Sequence, residues 1–200
     1  MIAIIDYGAG NLHSVKNALD FLGAESIITN NKKELLSADK VILPGVGAFG
    51  DAVKCLHDTG LFEVTKEITK SGTPFLGICL GLQLMFEESE ETPGVLGLGI
   101  FKGKIVKIPD TGLKIPHMGW NNIEMPKNSR ILKDLGENPF VYFVHSYYLQ
   151  AEDEDVVSAY TDYGKRLGVA VERDNVFATQ FHPEKSGKTG LKILDNFIRL

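Results

Sequence analysis

The first half of the chain alternates short apolar runs with stretches of helical periodicity. The apolar runs end at turn residues, which predicts buried strands over residues 2–5, 26–29, 41–43 and 74–78. Apolar positions at helical spacing predict helices over residues 12–22, 33–36, 53–68 with a break near Gly60, and 80–88. Strands that are buried on both faces and separated by helices indicate a mostly parallel α/β sheet.

The second half has a different pattern, which predicts further strands. Alternating, aromatic or β-branched segments predict strands over residues 100–108, 140–149, 156–160, 168–172 and 176–181, followed by a helix over residues 191–200. We expect some of these strands to be antiparallel. No repeat or linker divides the chain, so we expect a single domain over residues 1–200. The predicted fold is a three-layer, open, mostly parallel sheet flanked by helices, with antiparallel strands added in the second half.

The composition is typical of a globular protein, with 44% hydrophobic and 24% charged residues among 200. The net charge is −5 and no basic block is present, which argues against nucleic acid or an anionic membrane as the main partner. Two cysteines cannot build a disulfide framework. No apolar run approaches the roughly 18 residues of a membrane span, and the N-terminus does not resemble a signal peptide. We therefore expect a cytoplasmic protein.

The segment Gly77-Ile-Cys-Leu-Gly81 is the first candidate for chemistry. A predicted strand ends, a cysteine lies between two glycines, and a helix begins at once, which is typical of a nucleophile elbow. At a helix N-terminus the partial positive charge favours the thiolate of Cys79, and the N–H of Leu80 is placed to bind an oxyanion. The alternative is an inert core cysteine, the interpretation that we give to Cys55.

The end of the predicted strand 176–181 supplies a possible base for this thiol. His182 and Glu184 are alternate residues of a stretch that Pro183 is expected to hold extended, so their side chains share a face. A histidine that accepts a thiol proton needs a carboxylate to fix its tautomer. The alternative is a surface histidine beside a solvated glutamate. Since both motifs lie at carboxyl ends of predicted strands, a site at that edge is favoured.

A third motif, Pro44-Gly-Val-Gly47, also follows a buried strand, and its glycines allow the backbone to approach a ligand. An ordinary tight turn is the alternative. Residues 6–11 resemble a dinucleotide loop but lack its third glycine, and no acidic residue closes the second strand, so no nucleotide cofactor is expected. No histidine has a His or Cys neighbour at metal-ligand spacing, so no metal site is expected.

Together, residues 44–47, 77–83 and 182–184 resemble the motifs of the triad-type (class I) glutamine amidotransferases. Three more selective stretches are residues 86–94, 116–121 (Pro-His-Met-Gly-Trp-Asn) and 142–147. They resemble the glutaminase subunits of imidazole glycerol phosphate synthase, a family of histidine biosynthesis. The resemblance covers essentially the whole chain and implies a flavodoxin-like fold.

The resemblance also implies a glutaminase mechanism without a cofactor. Cys79 would attack the side-chain amide of glutamine, His182 would act as base and then acid, and Glu184 would orient His182. Backbone N–H groups would form the oxyanion hole at Leu80, Val46 and Gly47. The glutamine α-amino and carboxylate groups would be bound at Gln83, Glu91, His145, Ser146 and Tyr147. The family often has threonine at the position of Ser146, and the hydroxyl is kept.

The resemblance implies a partner as well as a substrate. In this family, ammonia passes to a cyclase subunit with a (β/α)₈ barrel, and the two subunits form a heterodimer. The residues that match family positions at or near that interface are Asn11, Trp120, Tyr142 and Lys185. Two of these have simple alternatives, because Trp120 suits a core position and Lys185 suits a solvated surface.

Three other functions are compatible with the same triad. The first is a paralogous amidotransferase subunit that supplies ammonia to a different synthase, such as one that modifies surface sugars. The second is a γ-glutamyl peptidase, although such enzymes are often secreted and residues 116–121 do not fit. The third is a silent regulatory subunit, against which the intact Cys79, His182 and Glu184 argue.

Overall fold

A ten-stranded sheet forms the centre of the fold, and a two-stranded ribbon forms a second sheet. The computed structural model describes residues 1–200. The strands are β1 (Ile2–Ile5), β2 (Ser26–Thr29), β3 (Lys40–Gly45), β4 (Phe75–Cys79), β5 (Glu88–Ser89), β6 (Gly103–Lys107), β7 (His117–Asn122), β8 (Phe140–His145), β9 (Tyr147–Ala151), β10 (Val157–Asp162), β11 (Arg166–Arg173) and β12 (Val176–Thr179). The helices are α1 (Leu12–Phe21), α2 (Lys32–Ser37), α3 (Phe49–Asp58), α4 (Leu61–Lys70), α5 (Leu80–Leu84) and α6 (Gly187–Ile198).

The strand order across the main sheet is β2-β1-β3-β4-β12-β11-β9-β6-β5, with β10 paired to β11. The strands from β2 to β12 are parallel neighbours, whereas β11, β9 and β6 pair antiparallel. The ribbon consists of β7 and β8 in antiparallel pairing. This topology confirms the predicted mostly parallel sheet with antiparallel strands in the second half. Because β4 lies between β3 and β12, the three motifs that follow these strands meet at one edge.

Alternate side chains of the central strands pack into two apolar cores, one on each face of the sheet. In β1, Ala3 and Ile5 belong to the core that α3 and α4 cover. Ile2 and Ile4 belong to the core that α1 and α6 cover. Parallel strands need cover on both faces, and the helices provide it. The result is the predicted three-layer arrangement.

Two predicted elements differ from the structure. The predicted strand 140–149 is two strands, because β8 pairs with β7 while β9 pairs with β6. The chain changes partner at Ser146, whose carbonyl accepts a hydrogen bond from the N–H of Ile108 at 2.9 Å. The predicted helix 80–88 ends at Leu84, because the carbonyls of residues 84–86 accept hydrogen bonds from residues 98–101 instead. None of the helices has the length and apolarity that a membrane crossing requires.

Candidate active site

Cys79 is the last residue of β4, and α5 begins at the next residue. Its backbone has φ 55° and ψ −109°, a conformation that residues other than glycine rarely adopt. The residue is 7% exposed. Non-glycine residues are held in such conformations only where the surrounding structure imposes them, and they concentrate at functional sites. The geometry is that of the sharp strand-to-helix turn expected from the sequence.

The glycines on either side of Cys79 are required by close packing. A Cβ atom on Gly81 would lie 1.9 Å from the carbonyl oxygen of Leu43 in β3. A Cβ atom on Gly77 would lie 2.6 Å from Cε of Met85 and 2.9 Å from the backbone of Gly81. The turn therefore depends on a direct backbone contact between α5 and the neighbouring strands.

His182 and Glu184 form a buried pair beyond the end of β12. His182 Nδ1 and Glu184 Oε1 are 2.8 Å apart, and their side chains are 2% and 1% exposed. The expectation that Pro183 keeps this stretch extended is wrong, because residues Pro183–Lys185 form a single 3₁₀ turn. The N–H of Lys185 donates to the carbonyl of His182 and closes this turn. The turn, not an extended strand, brings the two side chains together.

The surroundings of His182 favour its charged form. Burial lowers its pKa, but the Cys79 sulfur and the Glu184 carboxylate outweigh that effect and raise the pKa to about 9. Nε2 of His182 is buried without a hydrogen-bond partner. Because Nδ1 is occupied by Glu184, Nε2 is the nitrogen available for proton exchange.

Replacing Glu184 with glutamine is expected to lower kcat for the glutamine hydrolysis that the resemblance implies by about 10²–10⁴-fold, because the neutral amide no longer fixes the His182 tautomer or stabilises the imidazolium. The pKa of His182 should fall, so the charged imidazolium is lost at a lower pH than in the parent protein. An NMR titration of His182 and the pH profile of kcat measure both effects. Glu63→Gln, at an exposed position of α4, is the matched control. An unchanged titration in Glu184→Gln would contradict the role of the carboxylate.

A cavity of about 410 Å³ joins the predicted site residues. It is lined by Val46, Gly47, Cys79, Leu80, Gln83, Glu91, Pro116, Val144, His145, Ser146, Tyr147 and His182. All predicted catalytic, oxyanion and glutamine-binding residues are in this set except Glu184, which lies behind His182. The predicted interface residues are not in the set. Residues that are far apart in the sequence therefore converge on one space.

Two polar side chains of the cavity have fixed orientations. Gln83 Nε2 donates to the carbonyl of Tyr147 at 3.4 Å and to Gln180 Oε1 at 3.1 Å. Its Oε1 is left as an acceptor. Glu91 Oε2 accepts from the N–H of Phe49 at 2.7 Å, at the start of α3. Its second oxygen makes no comparable bond, so the cavity offers two acceptors that suit an ammonium group.

The loop after β3 lies over Cys79. Gly45 pairs in register with Cys79, so Val46 and Gly47 follow directly at the mouth of the cavity. Val46 is 43% exposed, and Gly47 has φ 101°. Glycine adopts a positive φ at little cost, so the backbone of this loop can take conformations that residues with a side chain would resist.

Sequence reasoning missed Gln180 and the pairing of His117 with His145, both of which lie beside the cavity. Gln180 is 0% exposed, and its Nε2 lies 3.7 Å from Cys79 Sγ. His117 and His145 are buried and joined by a hydrogen bond of 3.0 Å between Nδ1 and Nε2, respectively. The β7–β8 register places these histidines opposite each other, and no sequence spacing marked the pair. Gln180 had a weak signal, because it is a polar residue two positions before His182, near the end of the predicted strand 176–181.

The two histidines form an uncharged hydrogen-bonded chain. His145 Nδ1 lies 2.9 Å from the carbonyl of Tyr147, so Nδ1 donates and Nε2 accepts from His117. Asn121 Nδ2 lies 3.4 Å from Nε2 of His117 and donates to it. Burial lowers the pKa of His145 to about 3 and the pKa of His117 to about 4. Both rings are therefore neutral at physiological pH.

We expect His145 to make a contribution to the free energy of unfolding that is lost as the pH falls from 7 to 5. The unfolded chain binds a proton near pH 6.5, whereas native His145 does not, so acid favours the unfolded state by about 2 kcal/mol at pH 5. His182, whose pKa is raised, acts in the opposite sense. Urea unfolding of His145→Gln at both pH values should show a pH dependence shallower by that amount. His13→Gln, at an exposed position, should not; equal slopes for His145→Gln and the parent would contradict the assignment.

The outer face of the β7–β8 ribbon is apolar and exposed. Met118, Trp120 and Phe140 are 62%, 55% and 51% exposed. Trp120 lies opposite Tyr142, with ring centroids 6.1 Å apart. Val144 lies opposite Met118 and also lines the cavity. An exposed apolar face of this kind is typical of an interaction surface, and this one adjoins the mouth of the site.

The other predicted interface residues lie near the same place. The carbonyl of Tyr142 accepts from the N–H of His182 at 3.0 Å. Lys185 is exposed on the turn that carries Glu184. Asn11 is partly exposed at the start of α1, which packs against that turn. Since Trp120 is exposed, the alternative interpretation of it as a core residue is wrong.

The fold and the site together define a class of protein. A mostly parallel sheet presents a cysteine elbow, a buried His–Glu pair and a glycine-containing loop at the carboxyl edge of β3, β4 and β12. The family model for class-I glutamine amidotransferases matches residues 3–200. The chain belongs to the class-I glutamine amidotransferase family.

Relatives that match this chain along nearly its whole length come from one subgroup of this family. Imidazole glycerol phosphate synthase subunit HisH of Methanocaldococcus jannaschii is 52% identical over 200 residues, which cover 100% of both chains. The subunit HisH of Aquifex aeolicus is 53% identical over 197 residues, or 98% of this chain and 95% of that protein. These relatives confirm the resemblance that the motifs indicated. A solved structure of a glutamine amidotransferase, 21% identical, has a TM-score of 0.76 over 98% of this chain and 99% of that chain, which supports the fold.

Proposed function

We propose that the chain is the glutaminase subunit of imidazole glycerol phosphate synthase. It hydrolyses glutamine to glutamate and ammonia and delivers the ammonia to a cyclase subunit. One observation carries the proposal: Cys79 and His182 face a single cavity in a chain that is 52% identical, from end to end, to a HisH subunit. The proposed chemistry needs neither a metal nor a cofactor.

The reaction begins with the thiol of Cys79. Its sulfur attacks the side-chain carbonyl carbon of glutamine while His182 Nε2 holds the thiol proton. His182 returns that proton to the departing nitrogen, the C–N bond breaks, and ammonia and a γ-glutamyl thioester form. His182 then takes a proton from water, which attacks the thioester, and glutamate leaves as the thiol is restored. Glu184 keeps the imidazole in one tautomer throughout.

Attack on the amide and attack on the thioester each form a tetrahedral intermediate with a negatively charged oxygen. That oxygen needs N–H donors in the cavity. The N–H of Leu80 is at the N-terminus of α5, and the N–H of Val46 or Gly47 is the second candidate. We propose that the 45–47 loop turns one of these N–H groups towards the substrate by a peptide flip. Removal of one oxyanion donor typically costs about 10²–10³ in rate, so a loop that flips on demand would gate the enzyme.

Substrate recognition follows from the fixed acceptors. Oε1 of Gln83 and the second oxygen of Glu91 suit the α-ammonium group of glutamine. Backbone groups of residues 145–147, including Ser146, suit the α-carboxylate. A zwitterion needs such paired contacts, because an unmatched charge is expensive to bury. The aliphatic part of glutamine would then place its amide carbon beside Cys79.

The ammonia acceptor lies on another chain in this proposal. Ammonia is largely protonated in neutral water and then no longer nucleophilic, so a covered path to the acceptor is needed. The apolar ribbon face, with Trp120 and Tyr142, and the nearby Asn11 and Lys185 form the surface that we assign to a (β/α)₈-barrel cyclase. The complex would make imidazole glycerol phosphate and an aminoimidazole carboxamide ribotide.

The proposal is tested by following the amide nitrogen of glutamine into ammonia and then into the product of the cyclase. The chain is assayed for ammonia release alone, with a histidine-pathway cyclase, and with the cyclase and its nucleotide ligand. Formation of imidazole glycerol phosphate from glutamine in the third mixture is the expected result. Glutamine hydrolysis without that product would favour a paralogous subunit with another acceptor. Hydrolysis of γ-glutamyl peptides by the chain alone would favour a peptidase.

Replacing Trp120 with alanine is expected to weaken the complex with the cyclase by about 30-fold or more, because buried tryptophans at the centre of an interface contribute about 2 kcal/mol or more. Isothermal titration calorimetry of the two subunits measures the change. Phe21→Ala is the matched control, since Phe21 is an apolar residue of α1 that is 77% exposed and distant from the ribbon in sequence. Equal affinities for the Trp120 variant and the parent would exclude this face as the interface.

A further inference from the structure

Gln180 is the buried polar side chain that contacts the nucleophile. It lies between the end of β12 and His182 and is 0% exposed. Its backbone N–H donates to the carbonyl of Val169 at 2.8 Å, which fixes its position beside the cavity. Its side-chain Nε2 lies 3.7 Å from Cys79 Sγ, within hydrogen-bonding distance for sulfur. The mechanism proposed above does not use this contact.

The orientation of the Gln180 amide is determined by its neighbours. The carbonyl of Tyr147 can only accept, so the nitrogen of Gln83 must face it. The same nitrogen faces Gln180 at 3.1 Å, so the oxygen of Gln180 must lie on that side. Only the nitrogen of Gln180 is then left to face the sulfur. His145 Nδ1, 2.9 Å from the same Tyr147 carbonyl, fixes the far end of this chain of hydrogen bonds.

We infer that Gln180 is a further catalytic residue, whose side-chain N–H donates a hydrogen bond to Cys79 Sγ and stabilises the thiolate. The inference rests on the proposed glutaminase function and adds a residue to its site. An N–H donor gives little to a neutral thiol and much more to a thiolate. The bond therefore favours the ionised nucleophile before attack. It also favours the sulfur as leaving group when the thioester is hydrolysed.

A purely structural role makes a different prediction. If Gln180 only holds Gln83 in place, its loss would raise KM for glutamine through Gln83 and leave the ionisation of Cys79 unchanged. If Gln180 stabilises the thiolate, its loss would change the pH dependence of Cys79 reactivity even without glutamine. The two roles are separated by a reaction that needs no substrate.

The test is alkylation of Cys79 by iodoacetamide as a function of pH, in a Cys55→Ala background so that a single thiol reacts. Gln180→Glu is the main variant, because its carboxylate still accepts from Gln83 but has lost the N–H donor. We expect the midpoint of the alkylation profile to rise by about one pH unit or more, which corresponds to an acid dissociation constant of the thiol that is about tenfold lower. We expect kcat/KM for glutamine in the cyclase complex to fall by about 10–100-fold.

Two controls complete the experiment. Gln150→Glu, at an exposed position of β9, makes the same chemical change away from the site and should leave both readouts unchanged. Gln180→Met removes the donor without adding charge and should shift the midpoint in the same direction. An unchanged midpoint in Gln180→Met would overturn the inference, whatever Gln180→Glu does, because the glutamate also places a negative charge beside the thiolate. Because alkylation needs neither glutamine nor cyclase, that result is distinct from a failure of the proposed function, which would appear as absent ammonia release.

Discussion

Replacing Cys79 with alanine is expected to lower kcat for glutamine hydrolysis by at least about 10⁴-fold, because loss of a nucleophile removes the covalent path entirely. The proposed oxyanion donors and glutamine-binding groups remain, but the thiol proposed to attack the amide is gone. KM or the binding constant for glutamine should change little, since the groups proposed to bind its α-substituents do not involve the thiol. Ammonia release in the cyclase complex, with the nucleotide ligand present, measures the effect.

Two further results decide what that loss means. Cys55→Ala removes the other free thiol, which packs beside the core on α3, and should retain full activity. The Cys79→Ala complex should still form imidazole glycerol phosphate when ammonium salts replace glutamine, because the cyclase reaction does not use the thiol. Undiminished ammonia release in Cys79→Ala would identify another nucleophile. Loss of the ammonium-dependent reaction as well would point to a damaged complex instead.

The parts of the site that the sequence predicted are those with a local signal. Cys79 lies between close glycines at a change from strand to helix, and a few residues contain the whole pattern. His182 and Glu184 are two residues apart, so their proximity did not depend on the fold. The conformation was harder to predict than the contact, since a 3₁₀ turn and an extended strand can both bring these side chains together.

The parts that were missed depend on contacts that are distant in sequence. His117 and His145 meet only because β7 and β8 pair in one register, and they are 28 residues apart. The change of partner at Ser146 follows from where β6 and β7 lie, since the apolar pattern is continuous there. Gln180 looked like an ordinary strand residue until its amide was found between Gln83 and the thiol. Hydrophobic periodicity reports which face is buried, and it does not report which polar atoms meet there.

Replacing Gly81 with alanine is expected to lower the free energy of unfolding by about 3 kcal/mol or more, because the added Cβ would overlap backbone atoms of β3 that cannot move aside cheaply. The new Cβ would lie 1.9 Å from the carbonyl oxygen of Leu43 and 3.1 Å from its carbonyl carbon. To relieve this overlap, α5 must move away from β3. Urea unfolding of the isolated chain measures the cost.

The same movement should inactivate the protein that remains folded. Cys79 and the N–H of Leu80 are at the start of α5, so a shift of about 1 Å there misplaces the proposed nucleophile and the proposed oxyanion donor together and costs about 10²-fold in rate. Gly112→Ala is the matched control: its φ is 82° and no atom lies within 4 Å of the added Cβ. That variant meets only the left-handed backbone penalty of about 1–2 kcal/mol and should keep its activity. A Gly81→Ala protein as stable and active as the Gly112 variant would mean that the elbow does not depend on contact between α5 and β3.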